Sequence, residues 1–436
     1  MKRVILLLMA FVTASAFSQS INERIGDAIN QESWQKLRSL YENEGARLQT
    51  SILHPLSKFF ISHSYNRPDS ALFYGTKLLN EYQAVLGGSV GNLIFLMAGD
   101  FAKREEYGNA GSILKQYNDA VKASGAVPDP VFVAYENQYS TIAQKGGFSM
   151  LRPQKEIKIP IRYLNSRSEP GQIRVDIQLN NQSYDAVYDT GAGENIISRQ
   201  LADKLGLHVY DFTGTAIAGV YVSKSSFAIV DSLRMGEIVY MNVPFQVVDF
   251  NTGHQDADSA IERIKMDCII GVRSMLPLNE IQLDFKNGFL KIPVCPSEMP
   301  SFAPNIYYSG GCLLVMSVFD KKTNKKINAL LDTGSAITNL TAKYYMENKH
   351  FFDNVVPNDS VRIAGIGGIK TLKTISTSWE YSIDGDHFVK EPITINTNED
   401  SDANSVSKYD CLFGLPSFSK YDCVIINFKD MFLKFE

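Results

Sequence analysis

Asp189 and Asp332 each head the same tripeptide, Asp189-Thr190-Gly191 and Asp332-Thr333-Gly334. A carboxylate at a strand tip, followed by glycine, makes a turn that a second such turn can approach closely. Two carboxyls brought to one water can share a proton. The ionised one then draws a proton from the water, while the protonated one donates to a carbonyl oxygen. One strand-turn aspartate is ordinarily a solvated turn residue, and one Asp-Thr-Gly arises by chance in roughly one chain in ten of this length. A second copy in matched surroundings reverses that reading.

The elements around the two aspartates are repeated as well. Apolar runs precede them, Ala186-Val187-Tyr188 and Ala329-Leu330-Leu331, and a small residue follows, Ala192 or Ser335. Ile173, Val175, Ile177 and Leu179 alternate with Arg174, Asp176 and Gln178, which predicts a half-buried strand with the polar residues outward. Asn180-Asn181-Gln182 turns the chain into a second strand ending at Asp189; Leu313 to Val318, a polar turn and Ile327 to Asp332 repeat that hairpin. Asp267-Cys268-Ile269-Ile270-Gly271 and Asp410-Cys411-Leu412-Phe413-Gly414 close each half, with both cysteines read as buried core thiols. A single offset of 143 residues aligns the aspartates, these glycines, and the strands Asp284–Lys291 and Asn427–Lys434. Several anchors sharing one offset make an internal repeat.

Each half resembles a lobe of a retropepsin-type aspartic protease: a hairpin, an apolar-apolar-Asp-Thr-Gly-Ala/Ser turn, a flap, and apolar-apolar-Gly before a short helix. Ile363-Ala364-Gly365-Ile366-Gly367-Gly368-Ile369 is similar to the glycine-rich flap tip of retroviral proteases; Ile217-Ala218-Gly219-Val220-Tyr221 stands in its place in the first half. The resemblance covers residues 155–436. It implies an all-β bilobal acid-protease fold of two retropepsin-like β-barrel lobes, 151–296 and 297–436, on one chain as in pepsin-like enzymes, joined through the Pro293–Pro304 stretch. It also implies an aspartic endopeptidase that cleaves a peptide or protein substrate with water activated between Asp189 and Asp332, one carboxyl holding the shared proton. Thr190, Gly191, Ala192, Thr333, Gly334 and Ser335 would support the catalytic loops, the threonines by bonding across to the opposite loop. Ser335 can donate to the outer oxygen of Asp332, and Ala192 cannot do so for Asp189. Gly219, Tyr221, Gly365, Gly367 and Gly368 would contact substrate as flap residues. Gly271 and Gly414 are expected beneath the loops. Which aspartate is the base stays open.

Residues 20–150 have another texture, with apolar residues at helical spacing over Asp69–Leu79 and Tyr107–Tyr117 and breaks at Asn66-Arg67-Pro68, Gly87-Gly88 and Ser124-Gly125. Ala71 and Ala110, in similar settings, resemble positions in stacked helical hairpins of the tetratricopeptide type; a plain bundle is the alternative. The expected architecture is therefore multidomain α and β. Gly87-Gly88-Ser89-Val90-Gly91 has the spacing of a serine nucleophile elbow, but that motif needs a strand before it, and helical periodicity precedes it here.

The remaining features set limits. Lys2 and Arg3, the apolar run Val4–Val12 and the small residues Thr13–Ala16 read as a secretory signal, residues 1–19, too short to span a bilayer. That implies export to the periplasm or the medium, with no membrane span after signal removal. The composition, 44% hydrophobic and 21% charged with a net charge of -4, gives no nucleic-acid footprint. The six histidines lack metal-ligand spacing, so neither metal nor cofactor is expected. Five cysteines leave an odd thiol, and Cys295 and Cys312, flanking the proline-rich stretch, are placed to bridge in an exported protein. Two other readings stand: an inactive peptide-binding or assembly protein on protease-like lobes, and a dimer with one working motif per chain. Two intact acid motifs favour the enzyme. The helical domain would bind a protein partner, position substrate or inhibit.

Overall fold

The computed structural model describes residues 19–165, 171–218, 221–250, 266–310, 312–352, 355, 359–365, 368–398 and 408–436. Nearly all of the leader and two of the flap glycines, Gly219 and Gly367, lie outside these residues. The chain divides into two compact units, residues 1–147 with 307–309, and residues 148–306 with 310–436.

The first unit is helical: α1 (Ile21–Asn30), α2 (Trp34–Glu44), α3 (Leu53–Ser64), α4 (Pro68–Leu86), α5 (Val90–Lys103), α6 (Tyr107–Ala123) and α7 (Pro130–Gln144). Local chemistry sets the boundaries. Ser20 and Glu23 form a reciprocal capping box on α1. Pro68 and Pro130 start α4 and α7, where a missing N–H costs nothing. From α3 to α7 each helix packs on the next. Glycines permit the approach: a Cβ on Gly75 of α4 would lie 2.7 Å from the Met97 sulfur of α5, and one on Gly111 of α6 2.7 Å from Ser140 Oγ of α7. Gly87–Ser89 is a 3₁₀ turn between two helices, so no strand delivers Ser89. By length and composition alone, Pro68–Lys103 is apolar enough to cross a membrane. The stretch comprises α4 and α5, whose Ala71, Leu78, Met97 and Ala98 are buried among helices.

Asp100 of α5 is fully buried in this unit, 2.8 Å from His63 Nδ1 and 3.2 Å from Lys103 Nζ. Burial pushes its carboxyl up, but the charges and hydrogen bonds of His63 and Lys103 outweigh that and hold it below its ordinary value. A carboxyl lowered in the folded state stabilises above its unfolded pKa and loses that contribution as pH falls through the folded one. Asp100→Asn is expected to cost about 3 kcal/mol near neutrality by stranding the buried cation. Thermal unfolding followed by the helical circular-dichroism signal tests this, and the cost should shrink in acid.

The second unit is made of strands. The first half contributes β1 (Ser149–Leu151), β2 (Ile157–Pro160), β3 (Arg162–Tyr163), β4 (Ile173–Leu179), β5 (Gln182–Tyr188), β6 (Ile196–Ser198), β7 (Val209–Ala218), β8 (Tyr221–Met235), β9 (Ile238–Val248), β10 (Cys268–Ile270), β11 (Glu280–Asp284) and β12 (Phe289–Ile292). The second contributes β13 (Ile306–Ser309), of which residues 307–309 fall in the first unit, β14 (Leu313–Asp320), β15 (Lys325–Asp332), β16 (Asn339–Leu340), β17 (Asp359–Gly365), β18 (Gly368–Ser382), β19 (Val389–Asn396), β20 (Cys411–Gly414), β21 (Cys423–Asn427) and β22 (Phe432–Phe435).

Two of the sheets close on themselves. In the first, β8 pairs with both β4 and β9, completing the ring β9-β6-β10-β5-β4-β8. In the second, β18 pairs with both β14 and β19, completing β14-β15-β20-β16-β19-β18. Closure removes the open edges of these strands. A third sheet, β2-β12-β11-β21-β22, joins strands of both halves, with Ile281 opposite Ile426. Asn180 and Asn181, both at positive φ, turn β4 into β5.

Two expectations need correction. Arg174 is not exposed: it is buried, 3.1 Å from Asp185 and 3.0 Å from Gln172, with β3 paired over it, whereas Asp176 on the same face stays exposed. The Cys295–Cys312 bridge is not formed, and all five cysteines are thiols. Cys295 is exposed, whereas the Cys312 backbone lies beside Gly193 in the first aspartate loop. Cys268 and Cys411 are fully buried.

Candidate active site

Parallel pairing fixes where the two aspartates stand. β5 runs beside β10, with Ile270 opposite Tyr188, and Asp189 N–H donates to the Ile270 carbonyl at 3.0 Å. β15 runs beside β20, with Gly414 opposite Asp332. Each aspartate thus sits where a buried apolar strand gives way to a turn, and the two turns meet.

They meet through their threonines. Thr190 N–H donates to Thr333 Oγ1 at 3.0 Å, and Thr333 N–H donates to Thr190 Oγ1 at 3.1 Å. The hydroxyls donate onward across the interface, Thr190 Oγ1 to the Leu331 carbonyl at 3.1 Å and Thr333 Oγ1 to the Tyr188 carbonyl at 2.9 Å. Both threonines are fully buried. Every threonine group in this lattice points across the interface, so one turn fixes the position of the other.

The glycines are required by proximity. A Cβ on Gly191 would lie 2.5 Å from Asp332 Cγ, and a Cβ on Gly334 would lie 2.5 Å from Asp189 Cγ. Real Cβ contacts are never that short, so only glycine lets each carboxyl reach over the other loop. Asp189 Oδ1 accepts from Gly191 N–H at 2.7 Å and from Gly334 N–H at 3.0 Å; Asp332 Oδ1 accepts from Gly334 N–H at 3.0 Å.

That pattern separates the two acids. Burial raises Asp189, while the amides of Gly191, Gly334 and Ala192 and the hydrogen bond from Asp332 pull it back. Burial raises Asp332 well above the carboxylate range, the neighbouring Asp189 charge raises it further, and its amide contacts offset little of that. Both carboxyls are thus raised, Asp332 the more strongly, and the pair favours holding a proton between them.

The other sequence-derived residues fall into place unevenly. Ala192 is buried and its carbonyl accepts from Val272 N–H at 2.8 Å. Ser335 does not turn its hydroxyl to Asp332: Oγ donates to the Ile337 carbonyl at 3.0 Å within its own loop, and only its backbone serves the aspartate. In the flap segments, β7 and β8 pair Ala218 with Tyr221, and β17 and β18 pair Gly365 with Gly368. Gly219 and Gly367 fall outside the described residues.

Sequence reasoning missed a second pair beneath the loops. Asn195 Oδ1 accepts from Gly271 N–H at 3.0 Å, and Thr338 Oγ1 accepts from Gly414 N–H at 3.0 Å. A Cβ on Gly271 would run into the carbonyls of Glu194 and Ala192, and one on Gly414 into that of Ile337. The signal was available, because Asn195 and Thr338 stand at the repeat offset, but the residue types differ. Arg273 forms a two-pronged pair with Glu194, Nη2 lying 2.6 Å from Oε1, which ties the helical turn after Gly271 to the first loop. Among the described residues no group of histidine, cysteine, aspartate and glutamate side chains forms a metal site.

Residues 175–273, which include the first aspartate turn, match the family described as aspartyl protease. The chain resembles the retropepsin- and pepsin-type aspartyl proteases. Among solved structures it is similar to a retropepsin-like aspartic protease from Rickettsia conorii, at 19% identity over 33% of this chain and 93% of that one, with a TM-score of 0.23. It is also similar to an aspartic proteinase from Irpex lacteus, at 13% identity over 64% of this chain and 96% of that one, with a TM-score of 0.36. No curated protein matches the chain. The matched region carries the first of the two turns whose threonines interlock, and the second, Asp332 to Gly334, lies beyond it.

Proposed function

We propose that the chain is an exported aspartic endopeptidase, a hydrolase that cleaves peptide bonds of a peptide or protein substrate with water held between Asp189 and Asp332. The observation that supports this reading is the reciprocal threonine lattice, which holds two half-buried carboxyls hydrogen-bonded to each other on opposed turns. Charged Asp189 draws a proton from water as the water attacks the carbonyl carbon. Protonated Asp332 donates to the carbonyl oxygen, giving a neutral gem-diol. Collapse of that intermediate returns a proton to the leaving amine and restores the shared-proton pair. Partial burial strengthens both transfers, because the carboxyls are screened less than they would be in open water.

The architecture that goes with this is a leader over 1–19, a helical domain over 20–150 built as successive hairpins, and two lobes over 151–296 and 297–436. The residues expected as flaps from the sequence, Gly219, Tyr221, Gly365, Gly367 and Gly368, would contact the substrate from both halves. The helical domain would engage a protein partner or position substrate.

The mature chain should cleave an unstructured protein such as casein with a bell-shaped pH dependence. Activity is expected to fall in acid as Asp189 takes up a proton, and to fall in alkali as Asp332 loses one. Because burial and the Asp189 charge raise Asp332, the alkaline limb should lie above the ordinary carboxylate range. Absence of cleavage across that range, with or without the helical domain, would overturn the proposal.

A further inference from the structure

The two aspartate turns stand on different foundations, and the difference is a charge. β6 pairs with β9 so that Ile196 faces Gln246, and β16 pairs with β19 so that Asn339 faces Thr394. Three residues before Gln246 stands Val243, fully buried and apolar; three residues before Thr394 stands Glu391, only 4% exposed. A proline follows each, Pro244 and Pro392. The same position in the two barrels therefore holds a valine in one and a carboxylate in the other. Burying a carboxylate in place of a well-packed valine is unfavourable unless its partners compensate.

Those partners lead to the catalytic turn. Glu391 Oε2 pairs with Lys420, and Glu391 Oε1 accepts from Ser417 Oγ at 2.9 Å. Ser417 Oγ is 2.8 Å from Thr338 Oγ1, which accepts Gly414 N–H at 3.0 Å. The Ser417 hydroxyl reaches both Glu391 and Thr338, and Thr338 Oγ1 also lies 3.3 Å from the Gly414 carbonyl, so an unbroken row of polar contacts runs from the carboxylate to both backbone groups of Gly414. Gly414 stands opposite Asp332 in the parallel ladder and directly beneath the loop that leaves it. Under the first turn the row is absent: Asn195 reaches the Pro244 carbonyl at 3.2 Å, and Ser274, the repeat counterpart of Ser417, has a buried hydroxyl with no partner among the described residues.

We propose that Glu391 is a positioning residue for Asp332, holding the second turn through Ser417, Thr338 and Gly414. The proton-bearing acid thereby gains an oriented support that the charged base, already gripped by two loop amides, does without. This role rests on the proposed protease reading, but the hydrogen-bond row has a readout of its own.

The experiment measures hydrogen exchange at the Gly414 amide, with kcat and KM for casein-derived peptide, in wild type, Glu391→Val, Glu391→Gln and Ser417→Ala. Glu391→Val copies the first barrel, Glu391→Gln keeps an oxygen facing Ser417, and Ser417→Ala removes one hydroxyl and keeps the buried pair. Glu391→Val and Ser417→Ala should speed Gly414 exchange about tenfold, the worth of one hydrogen bond. They should lower kcat on the order of tenfold with KM within about twofold, as a misplaced acid would. Glu391→Gln should recover most of both. Unchanged Gly414 exchange in Ser417→Ala, or Glu391→Gln no better than Glu391→Val, overturns the inference. If wild type cleaves nothing, the protease reading fails, while the exchange measurement still decides the hydrogen-bond row.

Discussion

Asp332→Asn and Asp189→Asn should each lower peptide cleavage by at least about 10³-fold while leaving the chain folded. The two losses have different causes. Asp332→Asn keeps an oxygen for the Gly334 amide but leaves no acidic proton to give to the carbonyl oxygen. Asp189→Asn keeps the loop-amide contacts but leaves no group that can take a proton from water. Stability separates chemistry from collapse. Asp332 is raised well above the carboxylate range by burial and by the Asp189 charge, so its folded form favours the proton. A raised carboxyl gives its full contribution below its unfolded pKa and loses it as pH rises through the folded one. The carboxamide of the Asp332→Asn variant cannot ionise and escapes that loss. This variant is therefore expected to melt no lower than wild type near neutrality, and its advantage should disappear in acid. Inactivity accompanied by a lower melting temperature would mean that Asp332 braces the turn and does not serve as the acid.

The aspartates and glycines of this site were legible because their roles fix their types. Only glycine fits at Gly191 and Gly334, where a Cβ would strike the opposite carboxyl, and at Gly271 and Gly414, where one would strike a loop carbonyl. Alternation in residues 173–179 and the apolar run before Asp189 gave the strands that deliver the turn. What escaped notice depends on the partner a side chain finds. Arg174 alternates like a solvent-facing residue, yet β3 and the Asp185 and Gln172 side chains bury it. Ser335 has the hydroxyl for Asp332 but spends it on Ile337, two residues away. Asn195 and Thr338 do one job with two residue types, so matching letters could not pair them. Glu391 was concealed by length: Ile196 and Gln246 are 50 residues apart, Asn339 and Thr394 are 55, and the single offset of 143 slips out of register between them. The leader and the tips of the flap hairpins remain as sequence expectations, now joined to the proposal.

The largest effect on stability is expected at the threonine lattice. Thr333→Val keeps the shape and removes the hydroxyl that accepts Thr190 N–H and donates to the Tyr188 carbonyl. Both groups lie where water cannot replace the lost partner, and a buried donor left unmade costs its full desolvation, about 1–3 kcal/mol. With the weakened carbonyl contact added, Thr333→Val should cost about 3 kcal/mol, whereas Thr333→Ser, which keeps the hydroxyl, should cost about 1 kcal/mol or less. Thr190→Val removes the mirror-image contacts and should match it. Trp34 lies in the helical unit and Trp379 in the β unit, and they are the two tryptophans of the chain. Urea unfolding read by Trp379 fluorescence in a Trp34→Phe background therefore isolates the unit concerned. Because each hydroxyl helps to hold the turn that orients the other, the double variant should cost less than the sum of the singles by more than about 0.5 kcal/mol. Strict additivity would show that the two halves of the lattice act independently, and the turns would then need another source of alignment. A kcat loss on the order of 10²-fold should accompany Thr333→Val, since Asp332 is the adjacent residue and a displaced acid is a poor donor.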